Sequence, residues 1–325
     1  MQVKIAKPHS TLTNLRTLAT VSKRTKQRTR LSKTLQAYAF LLPTFIFIGL
    51  FSYRPVIRAL IGAFTQWNGI LPPTWVGFAN FLQMVNDPIF WESMLHILWW
   101  SLIGIPLGMF AAFVTALMIY RLRSMPAQYW FRFFFVLTMA IPGIVGILIW
   151  VDFYNPGGLV DILLQSVGLG RYGTAWLANP HTALWAMVFM GFPWIGAFGL
   201  LIFYAGLQGI PTELVDAVTV DGASSLQKTW HLEVPMIMGQ IKLLIILSVV
   251  GISQNLLAPL LMTDGGPGNS SITPVLYMYQ NAINYDQFGY AMAISFVIFL
   301  ISLILAIIGM KYIRGGNLAR EEGAL

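Results

Sequence analysis

Six long apolar stretches, separated by shorter polar segments, dominate the pattern of the chain. They lie at about 37–58, 94–120, 131–152, 181–207, 236–262 and 289–312. An α-helix needs about 20 apolar residues to cross roughly 30 Å of hydrocarbon, and each stretch reaches that length. The pattern therefore predicts an all-α polytopic membrane protein with six transmembrane helices.

Proline occurs inside four of these predicted helices, at Pro43, Pro106, Pro142 and Pro193. Because proline lacks an N–H group, it leaves a carbonyl of the preceding turn without its helical partner. Membrane helices tolerate such kinks where a neighbouring helix, a water molecule or a cavity satisfies the carbonyl. We therefore expect these kinks to line a cavity more often than the lipid face.

Composition supports a membrane protein and narrows the chemistry. Of the 325 residues, 57% are hydrophobic and only 10% are charged, which is too little charge to cover a soluble surface. The chain has no Cys, which excludes disulfides and thiolate chemistry. Its four His residues lack the paired spacing of a metal site, and Asp152 and Asp161 are the nearest approach to paired carboxylates. We therefore predict no metal site, no catalytic residue and no enzyme activity.

The basic residues predict the orientation of the chain. Residues 1–35 contain nine Lys or Arg and no acidic residue, directly ahead of the first apolar stretch. Cytoplasmic segments are enriched in Lys and Arg, and placing this tail inside leaves only three of the twenty basic residues outside. We predict a flexible cytoplasmic tail over 1–35, a six-helix domain over 36–312 and a cytoplasmic C-terminal tail over 313–325. Binding of the tail to anionic lipid or nucleic acid is the weaker interpretation, and we expect membrane lipid but no nucleic acid as a partner.

Residues 208–235, between the fourth and fifth stretches, form a loop that concentrates the scarce charge of the chain. Pro211 can begin a short helix, Asp221 and Gly222 can end it, and Ser224 is a candidate N-cap for a second helix. Pro235 then separates that helix from the fifth stretch. Because a bilayer core would penalise every charge, the loop is expected in water. It is either an ordinary helical hairpin or a docking element.

Three parts of this loop resemble the EAA motif of permease subunits of binding-protein-dependent ABC importers. That motif has the approximate pattern E-A-A-x-x-D-G-A, followed further along by I-x-L-P. The matching parts are Asp216-Ala217-Val218, Asp221-Gly222-Ala223 and Leu232-Glu233-Val234-Pro235. Relative to the motif, Asp216 stands for Glu and Val218 for the second Ala. The resemblance implies that the ATPase-coupling residues are Glu213, Asp216, Ala217, Asp221, Gly222, Ala223 and Pro235.

Three further blocks resemble the carbohydrate branch of this family, and in particular the maltose-type first permease subunit. They are Val76-Gly77-Phe78-Ala79-Asn80-Phe81, Gly191-Phe192-Pro193-Trp194 and Leu261-Met262-Thr263-Asp264-Gly265-Gly266-Pro267. The similarity covers nearly all of residues 36–312 and implies the type I ABC importer permease fold. The chain would then be a multi-pass subunit of a bacterial inner membrane, with both termini in the cytoplasm.

The resemblance also implies the partners. Such a subunit forms half of a translocation pathway in a heterodimer with a second permease subunit, and it receives a carbohydrate from an extracytoplasmic solute-binding protein. In this family the EAA segment is the coupling helix that seats in a cleft of a cytosolic ABC ATPase, present in two copies. Those ATPases would bind ATP and Mg²⁺, because this chain has no Walker motif and no cofactor of its own.

Candidate substrate-binding residues lie in the predicted fourth and fifth helices. They are Met190, Gly191, Trp194, Ser248, Ile252 and Asn255. Ser248 and Asn255 are seven residues apart and so share one face of the predicted fifth helix. Sugars stack their apolar C–H faces on aromatic rings, which makes Trp194 a candidate. The alternatives are hydrogen bonds to a neighbouring helix for Ser248 and Asn255, and ordinary packing for Trp194.

Two other functions are compatible with an apolar six-helix chain. An ion-gradient-driven secondary transporter would need carboxylates buried along its helices, whereas the acidic residues here lie almost wholly in loops or at membrane edges. An ABC importer permease for a non-sugar solute would share every feature above. Which sugar is carried, and whether it binds in this subunit or its partner, is left open by the residues alone.

Overall fold

The computed structural model describes residue 36 and residues 38–312, which are mostly helical. In chain order the helices are α1 (Tyr38–Gly62), α2 (Ala79–Val85), α3 (Pro88–Tyr120), α4 (Met125–Leu137), α5 (Gly143–Tyr154), α6 (Leu159–Ser166), α7 (Ala183–Phe189), α8 (Ala197–Gln208), α9 (Thr212–Val220), α10 (Ser225–Met236), α11 (Met238–Ser253), α12 (Leu257–Met262), α13 (Pro274–Ile283) and α14 (Phe288–Tyr312). A short antiparallel pair, β1 (Thr65–Gln66) and β2 (Thr74–Trp75), follows α1. The predicted all-α class is confirmed. The predicted tails, 1–35 and 313–325, lie outside the described residues.

Three of the predicted spans are single helices. Among the described residues, α1, α3 and α14 are each long and apolar enough to cross a membrane. Helix α3 has 33 residues and continues through Pro106, so this proline does not end the helix. It begins six residues before the predicted start at 94, because Asp87 caps it: Oδ1 accepts hydrogen bonds from the N–H groups of Ile89 (2.9 Å) and Phe90 (3.4 Å).

The other three predicted spans are broken rather than continuous. The third breaks between α4 and α5, which meet at 90° across Ile141 and Pro142. Proline disfavours helical backbone at the residue before it, and Ile141 is extended, with ψ of 122°. The fourth divides into α7 and α8, with residues 190–196 between them. The fifth ends at Ser253, and the short helix α12 follows.

The number of membrane crossings therefore depends on how the bent helices are counted. Three bent pairs qualify by length and composition when each pair is taken as one span: α4 with α5 (90°), α8 with α9 (74°) and α10 with α11 (69°). Counting each pair once raises the number of candidate spans from three to six. Six crossings therefore remain a prediction. The kinks predicted at Pro142 and Pro193 coincide with the break between α4 and α5 and with the break between α7 and α8.

The described residues fall into two compact units, divided after Ala59 within α1. In the first unit, no side chain of α1 between Tyr38 and Ala59 is buried. Large apolar side chains are fully open there, with Phe40 85% and Phe51 73% exposed. Such a surface requires lipid or the apolar face of another chain to cover it.

In the second unit, α3 makes its largest contact with α8. Small residues of α3, Ala112 and Ala116, are buried against Leu200 and Phe203 of α8. Lipid is as apolar as the helices, so the hydrophobic effect does not drive membrane helices together. Small side chains instead let the helices approach closely and pack. This apolar contact also includes Leu244 of α11 and so joins three helices.

A polar cluster joins α3, α13 and α14 at the other end of α3. Asp87 Oδ2 accepts hydrogen bonds from the hydroxyl groups of Tyr277 (2.5 Å) and Tyr290 (2.6 Å), while its Oδ1 caps α3. Burial, and then the hydrogen bond to Asp87, raise the pKa of Tyr277 to about 12. One carboxylate therefore binds three helix ends.

Candidate coupling segment and substrate cavity

Residues 211–236, here called the polar hairpin, contain α9, a glycine turn and α10. Helix α9 follows Pro211, and Gly222 takes the left-handed conformation, with φ of 77°. Ser224 and Gln227 form a reciprocal capping box at the start of α10: the Ser224 N–H donates to Gln227 Oε1 (2.8 Å), and the Gln227 N–H donates to Ser224 Oγ (3.4 Å). The N-cap predicted at Ser224 is present.

The end of the hairpin differs from the sequence prediction. Pro235 does not separate the second short helix from the next span, since it lies inside the last turn of α10, which continues to Met236. The chain bends by 69° at Ile237 instead, before α11 begins. The turn before Pro235, Thr229–Glu233, is π-helical, with the Val234 N–H bonded to the Thr229 carbonyl. Such a local adjustment lets a helix continue through a proline.

The first helix of the hairpin is almost entirely exposed. Helix α9 buries none of its residues, and the predicted residues Glu213, Asp216, Ala217, Asp221 and Gly222 are all exposed. Ala223 is half-buried and Pro235 is exposed. Large apolar side chains are exposed beside these acids: Val220 is 87%, Leu226 68% and Trp230 60% exposed. Exposed apolar side chains rimmed by polar residues mark an interaction surface.

The second helix, α10, is bound to the end of α3 through Arg121. The guanidinium group donates to Ser225 Oγ (2.7 Å), to the Ser225 carbonyl (3.3 Å) and to Thr229 Oγ1 (2.6 Å). It also forms an ion pair with Glu233 Oε2 at 2.7 Å. Glu233 is only 2% exposed, so its carboxylate is buried against the Arg121 guanidinium. The hairpin thus has one open helix and one anchored helix.

A second polar contact holds the end of α8, just before the hairpin, to the start of α4. Tyr204 OH donates to Gln128 Oε1 (2.6 Å), and Gln128 Nε2 donates to the Leu122 carbonyl (2.7 Å). The guanidinium of Arg132 lies 4.4 Å from the centre of the Tyr204 ring, a cation–π contact. Neither this contact nor that of Arg121 was predicted, because the helices they join are 72 to 112 residues apart at the contacting side chains and no local pattern relates them.

A cavity of about 370 Å³ lies between α3, α8 and α11. Three of the six predicted substrate residues line it: Trp194, Ser248 and Ile252. The α3 wall includes two glycines, Gly104 and Gly108, which leave room beside the helix backbone. The hydroxyl of Ser248 has no hydrogen-bond partner among the described residues. The walls of the cavity are apolar with a few polar groups, the usual composition of a small-molecule site.

The break between α7 and α8 places Trp194 at this cavity in an unusual conformation. Gly191 has φ of 87° and Trp194 has φ of 58°, and the Trp194 N–H donates to the Gly191 carbonyl at 2.7 Å. A bulky residue at positive φ is a true outlier that only surrounding structure can hold in place. The indole Nε1 is buried and has no partner within the described part of the chain. Trp194 therefore combines a strained backbone conformation with an indole N–H that has no partner among the described residues.

The other predicted substrate residues lie elsewhere. Asn255 does not share a helical face with Ser248, because α11 ends at Ser253. Its Oδ1 accepts a hydrogen bond from the Ala258 N–H (3.2 Å) in the first turn of α12, so the side chain has a structural partner. Met190 and Gly191 lie in the break and are not part of the cavity wall.

Asp161, one of the two carboxylates considered in the sequence, has two hydrogen-bond donors as partners. Asp161 accepts hydrogen bonds from the Gly157 N–H and the Trp176 indole N–H, each at 2.9 Å. These two bonds hold the pKa of Asp161 below its ordinary value, and they tie the segment before α6 to Trp176. Within residues 36 and 38–312, no group of three or more His, Asp or Glu could hold a metal ion.

Comparison with known proteins identifies the family. Residues 104–313 match the family model of the binding-protein-dependent transport system inner membrane component. The chain is 29% identical over 282 residues to the probable ABC transporter permease protein YurN of Bacillus subtilis, covering 86% of this chain and 96% of that protein. It is 30% identical over 289 residues to the sulfoquinovosyl glycerol transport system permease protein SmoG of Agrobacterium fabrum, covering 87% and 92%.

A solved structure supports the fold. A chain from the crystal structure of a bacterial ABC transporter involved in the import of the acidic polysaccharide alginate matches with a TM-score of 0.77 at 21% identity, covering 89% of this chain and 98% of that one. The predicted type I permease fold is confirmed. The matched residues 104–313 include the polar hairpin and every residue of the cavity wall, and the chain belongs to the family of binding-protein-dependent transport system inner membrane components.

Proposed function

We propose that this protein is a permease subunit of an ATP-driven carbohydrate importer in a bacterial inner membrane, with both termini in the cytoplasm. The names of several relatives support the substrate class, since they are transport permeases for sulfoquinovosyl glycerol, diacetylchitobiose and arabinooligosaccharides. A second permease subunit completes the passage in a heterodimer, and a solute-binding protein delivers the carbohydrate. The chain itself carries out no chemical reaction.

The exposed polar hairpin is the observation that carries this proposal. Its apolar side chains Val220, Leu226 and Trp230 are exposed. The carboxylates of Glu213, Asp216 and Asp221 are exposed on the same hairpin. Such a surface on the water side of a membrane fits a protein partner. We assign that partner to one of two cytosolic ATPase subunits, which bind ATP and Mg²⁺, since this chain has no Walker motif.

We propose the cavity between α3, α8 and α11 as this subunit's share of the substrate passage. The indole of Trp194 offers a stacking face and a free N–H donor, and Ser248 offers a hydroxyl. A sugar needs such a combination of an apolar face and a few hydrogen-bonding groups. Ile252 supplies apolar wall, and Met190, Gly191 and Asn255 act indirectly, through the conformation of the adjoining breaks.

Transport follows from rigid-body motion of the hairpin. When the ATPase subunits close on ATP, they move the hairpin, which continues directly into α8 on one side and α11 on the other. Both helices line the cavity, so the motion alternates its access between the two membrane faces.

Uptake into membrane vesicles tests the proposal. The assay uses sealed, right-side-out membrane vesicles that contain the chain with its partner permease and ATPase. ATP is enclosed in the vesicles, and the binding protein is added outside with a panel of radiolabelled mono-, di- and oligosaccharides. We expect uptake of at least one carbohydrate that requires ATP and the binding protein and persists when ionophores collapse the ion gradients. Uptake driven by an ion gradient without ATP would refute the proposal and favour a secondary transporter.

A further inference from the structure

The polar hairpin is attached to a third helix besides the two that continue from it. Arg121 follows the last residue of α3 and contacts Ser225, Thr229 and Glu233 of α10. These three positions recur every four residues and so form one stripe along α10. The contact therefore extends along two turns of α10 rather than touching it at one point.

Burial makes this contact hard to open. The Glu233 carboxylate is 2% exposed, Thr229 is 5% exposed, and the Arg121 side chain is 34% exposed. Separating a buried carboxylate from its counter-charge is strongly unfavourable, whereas separating two exposed charges costs little. The end of α3 and helix α10 are thus expected to move as one body.

The open helix of the hairpin is joined to the anchored one by a weaker contact. Lys228 Nζ donates to Thr219 Oγ1 at 2.8 Å, and both side chains lie at the surface of the turn. Helix α9 buries none of its residues. A force applied to α9 therefore reaches α10 through the glycine turn and this hydrogen bond, and then reaches α3 through Arg121.

Helix α3 leads from this contact to the substrate cavity without interruption. Gly104, Gly108 and Ala112 of α3 line the cavity, about two and a half to five turns from Arg121 along the same helix. On the basis of the proposed function, we infer that Arg121 is the joint through which the polar hairpin moves α3, so that the cavity wall opposite α8 and α11 moves in the same step. Glu233 lies at the unspecified position of the I-x-L-P part of the motif, so the family resemblance gives it no role.

Distance measurements on the assembled transporter test this inference. Because the chain has no Cys, spin labels can be placed at His231→Cys on α10 and Met118→Cys on α3, where the native side chains are exposed. In the otherwise unaltered chain we expect the distance between labels to stay the same with and without ATP. In the double variant Arg121→Gln/Glu233→Gln we expect it to change when ATP binds. Uptake per ATP hydrolysed should fall by roughly tenfold, the size of a typical coupling between sites.

The double variant distinguishes an ion pair that transmits motion to α3 from one that only stabilises the fold. Removing both charges leaves no buried charge without a partner, so insertion and ATPase binding should be retained. Glu233→Gln alone serves as a second variant, and Arg123→Gln, two residues away and exposed, is the matched control with native behaviour expected. A constant label distance with native uptake in the double variant would overturn this inference alone. Failure of the unaltered chain to bind any ATPase would overturn the proposed function, and this inference with it.

Discussion

Two residues with left-handed backbone show how the same conformation has different costs. Gly222 and Trp194 have φ values of 77° and 58°. Glycine reaches this region without a steric penalty, whereas a Cβ atom makes it unfavourable by roughly 1–2 kcal/mol. At Gly222 the conformation only shapes a turn. At Trp194 it is strain that the fold must hold, and strain of this kind concentrates at functional sites.

Replacement of Gly222 by Val tests the glycine turn. No atom lies within 4 Å of the position that a Cβ would take, so the penalty is one of backbone conformation and not of contact. We expect Gly222→Val to insert normally but to lose most ATP-driven uptake, because the turn reorients α9. Gly222→Asn is the matched control, since Asn tolerates left-handed backbone, and it should retain uptake. Equal uptake in the Val and Asn variants would show that the turn geometry is unimportant.

Replacement of Trp194 by Phe tests its unpaired indole N–H. The ring is kept and the donor is lost, so a hydrogen bond to substrate of about 0.5–1.5 kcal/mol should disappear. We expect the KM for uptake to rise roughly 2- to 12-fold with little change in the maximal rate. Trp130→Phe, at an exposed position outside the cavity wall, is the control. An unchanged KM in Trp194→Phe would remove this N–H group from the substrate site.

At the scale of single elements, the two ends of helix α3 carry charged residues that also contact other helices. Helix α3 carries a carboxylate at its N-terminus, Asp87, and a guanidinium at its C-terminus, Arg121. Both charges have the sign that the helix dipole favours. Each also binds other helices: Asp87 contacts Tyr277 and Tyr290, and Arg121 contacts α10. The longest continuous helix of the second unit is therefore attached at both ends by buried polar contacts.

Loss of Asp87 should destabilise the fold more than loss of a typical surface acid. Asp87→Ala removes the cap of α3 and leaves the hydroxyl groups of Tyr277 and Tyr290, both nearly buried, without their acceptor. We expect a loss of about 2–4 kcal/mol, seen as a lower Tm in detergent, and a smaller loss for Asp87→Asn, which can still accept hydrogen bonds. Asp286→Asn, at an exposed position, is the control. A native Tm for Asp87→Ala would contradict this account of the cluster.

At the scale of the whole molecule, the exposed surfaces divide by chemistry. Helix α1 presents apolar side chains that need lipid or another chain, and the polar hairpin presents acids beside apolar residues that need a protein partner. A single subunit leaves both surfaces uncovered. This division fits one component of a larger assembly better than a transporter that acts alone.

Thiol labelling tests which side of the membrane each surface faces. Single cysteines at Ile70 and Val220, which are 86% and 87% exposed, can be introduced into the Cys-free chain. With an impermeant thiol reagent on cells with a permeabilised outer membrane, we expect Ile70→Cys to react and Val220→Cys to react only after the inner membrane is opened. Reaction of Val220→Cys from outside would reverse the proposed orientation and exclude contact with a cytosolic ATPase.

Local patterns predicted the features that depend on a few neighbouring residues. The turn at Gly222 and the cap at Ser224 were both readable, because left-handed backbone and N-capping involve residues within one turn of each other. The interruptions near Pro142 and Pro193 were predicted as kinks, but not as breaks that divide a span. Asn255 was misplaced on a helical face, because nothing in the apolar pattern marks the end of α11 at Ser253.

The sequence by itself determined the membrane class, the family and the polar hairpin, because hydrophobic length, composition and turn chemistry act over short stretches of chain. Only the tertiary structure decided which side chains meet. Arg121 and Glu233 are 112 residues apart, and Asp87 and Tyr290 are 203 residues apart, and each pair exists only because helices pack in one arrangement. The same packing brings Trp194, Ser248 and Ile252 to one cavity and leaves Asn255 outside it, since a cavity is a property of the space between helices and not of any one of them.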